Sequence, residues 1–503
     1  MKPVDIFFVR RFNDVDHIVP VVYRMAKDGK RTPLVLCLNP FMDLENDFRF
    51  RFLREKWGVT VDYVYTYFAP ALLHKCAGRI VCSPYIRGSL KDLLRSKSKR
   101  SGGGRAARRT PAWLKAGFAW ILEVPIRSAY ALFKRFLYDW TDRVVIRKSL
   151  FNERWAEEFL KETRAESLIF DYVHADIHIA GALIAAGRKL GIPLISVPHG
   201  TSLFSGRPLV GPSDDHARVR KSGVDYYVVH HHRDAQVLAG YDFDPKKLRV
   251  LGSARYCREW EEVLHRIVPP DEIPCSNGRE RKLRVVYMER GADRHGVYKH
   301  LVWETLERIA ALDFVNFVIK PPTRTDRLHF SRLPESVVIA NDINSVNLCK
   351  WADVIVGTVT SILLEVFWQR KVLLYPKYFH DDLMWFEEIG ACWMVHSPAE
   401  LEMALRKLKD QPSYQPYPES AVEEFLGQIV YNGKPAGDVL ESYCRFIAEA
   451  ALDARNQEIH QVKTQKGLPG AATPLDGGVD RARKAIPTDG AATGLSANDS
   501  PRH

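Results

Sequence analysis

The chain has 503 residues, more than one ordinary hydrophobic core can organise, so two or three domains are expected. A composition of 46% hydrophobic and 27% charged residues is typical of a soluble globular protein, and no apolar stretch reaches the ~18 residues of a membrane-spanning helix. The net charge of +12 is unevenly distributed, which indicates that one part of the chain binds an anionic partner.

The N-terminal elements predict a parallel α/β sheet. Strands are expected at 4–9 and 32–38 with a helix at 17–27 between them, which is a βαβ opening. Further short strands are expected at 57–65 and 79–81.

The turn after the first strand, Arg10-Arg-Phe-Asn-Asp14, contains no glycine. It therefore lacks the GxGxxG fingerprint of a dinucleotide site, and the first half is expected to hold something other than a pyrophosphate. The apolar run before Arg10 is too short for a signal peptide, so we expect a cytoplasmic location.

A strongly basic segment follows at 87–109, with nine Lys or Arg residues against one acid, Asp92. It leads into 111–140, where aromatic and aliphatic residues alternate with basic ones, a pattern typical of an interfacial anchor on an anionic membrane. The alternative is an amphipathic helix packed on the domain beside a solvated basic run. Nucleic acid is not expected, because no motif that reads DNA or RNA accompanies the charge. The expected membrane-contacting stretch is 87–140.

The α/β alternation resumes with a strand at 167–173, a helix at 177–190 and a strand at 194–197. The last of these runs into Pro198-His199-Gly200-Thr201. Because strand carboxyl ends face the ligand crevice of such sheets, His199 is expected at its lip, followed by Gly200 and Thr201. The remaining elements of this half are expected at 225–229, 234–238 and 248–253.

The second half repeats the alternation. Strands are expected at 283–288, 315–319, 337–340, 354–356, 372–375 and 392–395, and helices at 297–312, 346–351, 398–409, 419–429 and 438–451. We therefore predict an N-terminal Rossmann-like domain, a linker, a C-terminal Rossmann-like domain and a disordered tail. Their bounds are 1–255 (with a basic, amphipathic insertion at about 86–155), 256–280, 281–455 and 456–503.

The segment Gly357-Thr-Val-Thr-Ser361 lies between a short apolar strand and a predicted helix. Unpaired N–H groups at such a helix start, together with the helix dipole, suit a phosphate or diphosphate. Ser361 and Glu365 are four residues apart and share a helix face, so Glu365 is placed to hold ribose hydroxyls. The alternative is that Thr360 or Ser361 caps the helix and Glu365 is a solvated charge.

The loop 289–296 also opens at a strand carboxyl end, and Arg290, Arg294 and His295 are candidates for contacting the same phosphates. A solvated basic loop is the alternative. The triplet His230-His-His232 suggests a metal site, but adjacent residues at a strand end point in alternating directions, so no metal is expected there. The eight cysteines form no CxxC pair, and no Asp-x-Asp triplet suits a metal–nucleotide site, so buried thiols, no metal and no cofactor are expected.

Three short motifs together resemble the GT-B glycosyltransferase superfamily: His199-Gly-Thr201, the Gly357 loop with Ser361-x-x-x-Glu365, and the strand Arg370-Lys-Val-Leu-Leu-Tyr-Pro376. Within it, the chain looks nearest to CDP-glycerol glycerophosphotransferases and related capsule or surface-polysaccharide transferases, whose fold neighbours include UDP-N-acetylglucosamine 2-epimerase. The resemblance covers roughly 167–450. It implies an α/β fold of two Rossmann-like domains facing a crevice, with the acceptor bound by the N-terminal domain and the nucleotide donor by the C-terminal domain.

The resemblance also implies roles for single residues. His199 matches a candidate base on the acceptor hydroxyl, which an imidazole with a pKa near ~6.5 would suit, and Gly200 and Thr201 would then lie on the acceptor side. A turn histidine that bonds backbone is the alternative for His199. Thr358, Thr360 and Ser361 match the phosphate loop, and Glu365 a contact to the ribose or base. Where the family tends to have a basic residue, a variable residue and His-Pro, this chain has Lys320-Pro-Pro322, so Lys320 and Arg324 are expected to supply the charge.

The expected function is a metal-independent transferase that moves a sugar or polyol phosphate from a CDP-, CMP- or UDP-type donor to a glycan or lipid-linked acceptor. It would be peripheral on the inner face of the cell membrane. A nucleotide-sugar 2-epimerase of the same fold and a non-catalytic membrane-associated scaffold remain alternatives.

Overall fold

The structure is a computed structural model that describes residues 2–40, 42–82, 149–172, 175, 179–205, 214–274, 282–289, 296–322, 333–334, 337–433 and 437–465. Both sheets lie in one compact unit, Met1–Asn456. Of a second unit, Gln457–His503, only helical residues up to 465 are described.

The first sheet has the strand order β3-β2-β1-β4-β5-β6-β7, and its neighbouring strands are parallel. These strands are β1 (Val4–Val9), β2 (Thr32–Cys37), β3 (Thr60–Tyr63), β4 (Ala165–Asp171), β5 (Leu194–Val197), β6 (Tyr226–Val229) and β7 (Leu248–Val250). Most of their side chains are buried, as the continuous apolar runs predict for a sheet covered by helices on both faces.

The second sheet has the order β10-β9-β8-β11-β12-β13 and is also parallel. Its strands are β8 (Leu283–Met288), β9 (Val315–Lys320), β10 (Val338–Ile339), β11 (Val354–Gly357), β12 (Val372–Pro376) and β13 (Trp393–Val395). The predicted fold class is therefore confirmed: two parallel, helix-covered α/β sheets follow one another along the chain. The residue bounds of the two predicted domains stay a prediction.

Helices cover the sheets and connect their strands. In the first half they are α1 (Phe12–Asp28), α2 (Phe48–Trp57), α3 (Val64–Tyr67), α4 (Leu72–Val81), α5 (Glu153–Thr163), α6 (Ala180–Lys189), α7 (Asp214–Lys221), α8 (His232–Ala239) and α9 (Arg258–Ile267). In the second half they are α10 (Lys299–Ala310), α11 (Ser345–Trp351), α12 (Leu363–Trp368), α13 (Trp385–Glu388), α14 (Pro398–Asp410), α15 (Glu419–Tyr431) and α16 (Val439–Gln465).

Three local predictions need correction. The strand expected at 79–81 is the end of α4, whose apolar residues recur at the helical spacing 72, 73, 76, 77 and 80. The predicted linker contains α9, which buries Trp260, Val263 and Leu264 on one face. The helix expected to end at 451 continues to Gln465, into the start of the predicted tail.

Several predictions fall outside the described residues. These are nearly all of the basic insertion, including the whole membrane-contacting stretch 87–140, and the tail from 466 onward. Among the described helices, none combines the length and the apolar character that crossing a membrane requires. The described cysteines carry thiols rather than disulfides, and those at 37, 82, 257, 349 and 392 are buried.

The two closing helices return to the first half of the chain. The N–H of Ser253 donates to the carbonyl of Val430 in α15 at 2.9 Å, and the hydroxyl of Tyr443 in α16 donates to the carbonyl of Gly252 at 3.0 Å. Gly252 has a φ of 89°, and a Cβ atom there would lie 2.5 Å from the Val430 oxygen. Only glycine therefore fits this crossing, which ties the C-terminal helices to the end of β7.

Candidate functional site

Three polar residues leave the first sheet at its carboxyl edge. Arg10 follows β1, Asp171 is the last residue of β4, and His199 is the second residue after β5. Because β1, β4 and β5 are neighbours in the sheet, their carboxyl ends meet at one place. The sheet order thus brings together residues that are far apart in sequence.

The imidazole of His199 is held by two carboxylates. Its Nδ1 lies 2.9 Å from Oδ1 of Asp171 and 3.2 Å from Oδ1 of Asp14. Arg10 fixes the other oxygen of Asp171, with Nη2 at 2.7 Å and Nε at 3.0 Å. We refer to these four residues as the His199 cluster.

Asp14 reaches the cluster because of its place in the first turn of α1. Its Oδ2 accepts the backbone N–H of Arg10 at 2.8 Å and that of Arg11 at 2.9 Å. The glycine-free turn after β1 is therefore organised by a carboxylate that pairs with otherwise unbonded N–H groups at a helix start.

Within the His199 cluster, the histidine is the exposed member. Its side chain is 25% exposed, whereas that of Asp14 is 0% and that of Asp171 is 1% exposed. A molecule that entered this site from solvent would meet the imidazole first.

The carboxylates change the charge of the imidazole. Burial alone would lower the pKa of His199, but the charge of Asp171 and the hydrogen bonds from both carboxylates outweigh burial and raise the pKa to about 9. Burial, with the neighbouring Asp171, raises the pKa of Asp14 to about 6. Burial would also raise the pKa of Asp171, but His199 and Arg10 hold it well below its usual range. At neutral pH His199 is thus an imidazolium, not the ordinary imidazole that the sequence suggested.

Sequence reasoning found His199 but missed its partners. In the sequence, the turn that contains Arg10 and Asp14 is distinctive only in its lack of glycine, and Asp171 falls within an ordinary apolar strand pattern. The available signal was the position of each residue at a strand end, followed by a helix or loop. That signal becomes specific only when the strand order is known.

The loop that carries His199 also contacts the second half of the chain. The N–H of Ser205 donates to the carbonyl of Leu383 at 3.1 Å, and that of Trp385 donates to the carbonyl of Leu203 at 2.9 Å. Arg233 adds a contact, since its guanidinium lies 4.1 Å from the centre of the Trp385 ring. The segment that follows β5 is therefore hydrogen-bonded to the start of α13 and to the residues just before it.

The predicted acceptor-side residues border this loop. Thr201 is buried, and its Oγ1 has no hydrogen-bond partner among the described residues. A Cβ atom on Gly200 would meet nothing within 4 Å, so the chain there has space beside it. Contact with an acceptor remains a prediction for both residues.

The predicted phosphate loop ends in a tight turn. Gly357 closes β11, and a Cβ atom there would lie 2.7 Å from the side chain of Leu363. The N–H groups of Leu363 and Leu364 donate to the carbonyls of Thr360 and Ser361, each at 3.1 Å. The helix starts at Leu363, two residues after Ser361, and Ile362 occupies its N-cap position without a side-chain bond. Phosphate binding by this loop, including Thr358, stays a prediction.

Glu365 is directed towards α9. Its side chain is fully buried, and its Oε1 lies 2.5 Å from Nε2 of His265 and 2.5 Å from Nε2 of Gln369. Burial would raise the pKa of Glu365, but His265 and Arg255 lower it, so the side chain is a carboxylate. Glu365 is therefore not a solvated charge. A ribose hydroxyl that contacted this carboxylate would have to share it with His265 on α9.

Lys320 is also engaged within the protein. Its Nζ donates to the carbonyls of Ala340 at 3.0 Å and Asn341 at 2.9 Å. Burial lowers its pKa. A phosphate contact would have to compete with these two carbonyls for the ammonium group. The other predicted phosphate contacts, Arg290, Arg294, His295 and Arg324, lie outside the described residues.

The consecutive histidines have separate structural roles. His231 caps α8 by accepting the N–H of Asp234 on Nδ1 at 3.1 Å. The ring of His230 packs on that of His17 at 5.4 Å, and burial lowers the pKa of His230 well below its ordinary value. Two other groups in the described part of the chain bring donor atoms within 4.8 Å of one another: Asp14, Asp171 and His199, and Glu261, His265 and Glu365.

No family model matches this chain, and no curated protein matches it in sequence. Solved structures align over most of its length. UDP-GlcNAc 2-epimerase from Neisseria meningitidis bound to UDP-GlcNAc is 12% identical, with 90% of this chain and 100% of that chain covered and a TM-score of 0.45. UDP-N-acetylglucosamine 2-epimerase from Rickettsia bellii is 9% identical, with coverages of 90% and 97% and a TM-score of 0.45. Acinetobacter baumannii MurG is 11% identical, with coverages of 89% and 100% and a TM-score of 0.40. At these identities and TM-scores, the likenesses assign no substrate and no residue role to this chain.

The chemistry available at the site follows from the His199 cluster. A partly exposed imidazolium lies between two buried carboxylates, one of which has a pKa of about 6. Both groups can give or take a proton in the range where enzymes work. The cluster is therefore suited to transfer a proton to or from a hydroxyl group or a carbon atom of a bound molecule.

Proposed function

We propose that this chain is a transferase that moves a sugar or polyol phosphate from a nucleotide-activated donor to a hydroxyl of a glycan or lipid-linked acceptor. The supporting observation is the His199 cluster at the carboxyl edge of the first sheet, with the imidazole as its exposed member. The donor would bind on the second half, near Gly357 to Ser361. Lys320, Arg324, Arg290, His295 and Glu365 remain predicted donor contacts.

In this mechanism His199 removes the acceptor proton through Nε2, the ring nitrogen remote from the two carboxylates. The acceptor oxygen forms a bond to the transferred carbon or phosphorus while the bond to the nucleotide leaving group breaks. The proton ends on the imidazole, where Asp171 and Asp14 stabilise the positive charge. Since the resting imidazolium must first lose its proton, the active fraction of enzyme rises with pH towards about 9.

Nucleotide binding is the first test of this proposal. CDP, CMP, UDP and GDP are added singly to the full-length chain, and the midpoint of thermal unfolding is measured. We expect at least one pyrimidine nucleotide to raise the midpoint. The proposal fails if none of the four does so at millimolar concentration.

Once a nucleotide is identified, release of that nucleotide from the corresponding sugar or polyol donor is measured with and without an acceptor. His199→Ala is expected to lose nearly all acceptor-dependent release while the nucleotide still binds. His300→Ala, an exposed histidine near the start of α10, serves as the matched control. Undiminished release by His199→Ala would rule out the role of His199 as the base.

A 2-epimerase acting on a nucleotide sugar is the second candidate. The observation that favours it is Asp14, whose pKa of about 6 supplies a second acid or base beside the imidazolium. Such an enzyme would convert UDP-N-acetylglucosamine without an acceptor and, in D₂O, would introduce deuterium at C2 of the sugar. Proton NMR of this reaction separates the two candidates, because a transferase leaves the C2 proton in place.

Binding to an anionic membrane through 87–140 is a separate proposal, which rests on sequence alone. Deletion of 88–109 is expected to release the protein from phosphatidylserine vesicles in a flotation assay. Equal binding by the full-length and deleted chains would refute it. A scaffold without catalytic activity would bind the vesicles but turn over no donor.

A further inference from the structure

A second polar cluster lies between α9 and α12. Glu261 and His265 are four residues apart on α9 and therefore share a helix face, and Glu365 faces them from α12. The side chain of Glu261 is 4% exposed and that of Glu365 is 0% exposed, whereas that of His265 is 38% exposed. The group is thus closed on the carboxylate side and open to solvent at the imidazole.

Donor atoms of these three residues converge. Nε2 of His265 lies 2.5 Å from Oε1 of Glu365 and 3.5 Å from Oε2 of Glu261. One donor atom from each residue falls within 4.8 Å of the others. In a tetrahedral zinc site with bonds of ~2.0–2.2 Å, neighbouring ligand atoms lie roughly 3.4 Å apart. The separation of Nε2 of His265 from Oε2 of Glu261 matches this, whereas the hydrogen bond between His265 and Glu365 would have to open by about 1 Å to admit the ion.

Each carboxylate has one bonded and one unbonded oxygen. Oε1 of Glu261 accepts from Nη1 of Arg255 at 2.9 Å, and Oε1 of Glu365 accepts from Nε2 of Gln369 at 2.5 Å. Oε2 of both residues is buried and has no hydrogen-bond partner among the described residues. A buried acceptor without a partner is costly, so these two oxygens favour a cation or a proton as a partner.

The basic groups that face the two carboxylates are Arg255 and His265. Arg255 is the guanidinium that contacts Glu261, and it also lies 3.5 Å from Asp16, so its one positive charge is shared by two carboxylates. In many metal sites, a residue that does not touch the metal orients a ligating carboxylate by hydrogen bonding to it. Arg255 and Gln369 make such bonds to Glu261 and Glu365.

We propose that Glu261, His265 and Glu365 bind one divalent transition-metal ion, for which Zn²⁺ is the probe. An imidazole nitrogen with two carboxylate oxygens is a donor set that zinc accepts, whereas Mg²⁺ and Ca²⁺ favour oxygen ligands throughout. The exposed side of His265 leaves a path for the ion and a fourth position for water. Bound there, the ion fastens α9 to the helix that follows the predicted phosphate loop.

The zinc site does not depend on the proposed function. The two proposals share one residue, Glu365, which the proposed function assigns to a ribose contact. For that reason the decisive variants change Glu261 and His265. The competing explanation of the same geometry is a proton shared between the two buried carboxyl groups, which requires no metal.

The test is zinc binding by the full-length chain after dialysis against a chelator, followed by calorimetric titration with Zn²⁺. We expect one equivalent of zinc whose binding is lost in Glu261→Gln and in His265→Asn. Two controls should keep it: Glu262→Gln, an exposed neighbour on the same helix that pairs with Arg258, and His199→Asn, which alters the other cluster. Gln369→Leu, which removes an outer partner, is expected to weaken binding by roughly 10–100-fold.

Zinc affinity that is unchanged in both Glu261→Gln and His265→Asn would overturn the proposal, as would absence of zinc binding. Circular dichroism verifies that each variant folds. A second measurement uses the unmodified chain with Co²⁺ in place of zinc. Visible absorption bands of a nitrogen- and oxygen-ligated ion are expected, and a thiolate charge-transfer band would overturn the assignment by pointing to cysteine ligands instead.

Discussion

Nδ1 of His199 lies 2.9 Å from Oδ1 of Asp171, so an imidazole on the loop after β5 is fixed by a carboxylate at the end of the neighbouring strand β4. This contact orients the ring and also sets its charge. It leads to predictions that do not require the substrate to be known.

Asp171→Asn should lower the pKa of His199. The carboxylate of Asp171 is the largest of the effects that raise this pKa to about 9, so a neutral amide should let it fall towards the ordinary value of ~6.5. NMR titration of the histidine ring protons, with His199→Gln used to assign the signal, measures the change. Asp410→Asn, at the exposed end of α14, is the control. A His199 signal that titrates as in the unmodified chain would contradict the assigned charge balance.

Stability should depend on pH through the same histidine. The folded-state pKa of about 9 lies above the unfolded value of ~6.5, so the stabilising contribution is complete below pH ~6.5 and is lost as pH rises through about 9. The free energy of unfolding, measured with urea at pH 6.5, 8 and 9, should therefore fall more steeply for the unmodified chain than for His199→Gln. Parallel curves for the two proteins would show that His199 is not charged in the folded state.

Gly252→Ala should destabilise the protein more than Gly58→Ala. Both glycines have positive φ, 89° and 63°, so alanine strains the backbone at each, by about 1 kcal/mol. Only at Gly252 would the added Cβ atom also approach the carbonyl oxygen of Val430, at 2.5 Å, while nothing lies within 4 Å at Gly58. Chemical denaturation compares the two variants. Equal losses would mean that the contact between β7 and α15 has no effect on stability.

Trp260→Ala tests whether α9 is a structural element. The side chain is 1% exposed and packs against Tyr23 and Phe52, with ring centres 5.7 and 6.4 Å away. Its removal should lower the free energy of unfolding by about 3–5 kcal/mol. Arg258→Ala on the exposed face of α9 is expected to change it by less than about 1 kcal/mol. A small effect of Trp260→Ala would show that the packing of α9 contributes little to the stability of the fold.

Much of the fold was accessible from sequence because parallel strands buried on both faces are continuous apolar runs. The strands Val4–Val9, Leu194–Val197 and Leu283–Met288 were predicted to the residue. Helix α9 is not predicted from the sequence, because the prolines at 269, 270 and 274 make the whole segment 256–280 resemble a linker. These prolines in fact follow the helix, which ends at Ile267.

The candidate site was less accessible. His199 could be found because it directly follows a strand, which local sequence reveals. Asp14 and Asp171 could not, because β1 and β4 become neighbours only through a sheet order in which strands distant in sequence lie side by side.

By itself, then, the sequence determined the alternation of strands and helices and placed His199 at a strand end, since both depend on local patterns of apolar and polar residues. The tertiary structure decided which charges surround that histidine and that Glu365 faces His265 on α9. The charge of a side chain and its contacts depend on residues that are close in space. Here those residues are far apart in sequence, so no local sequence pattern reveals that they meet.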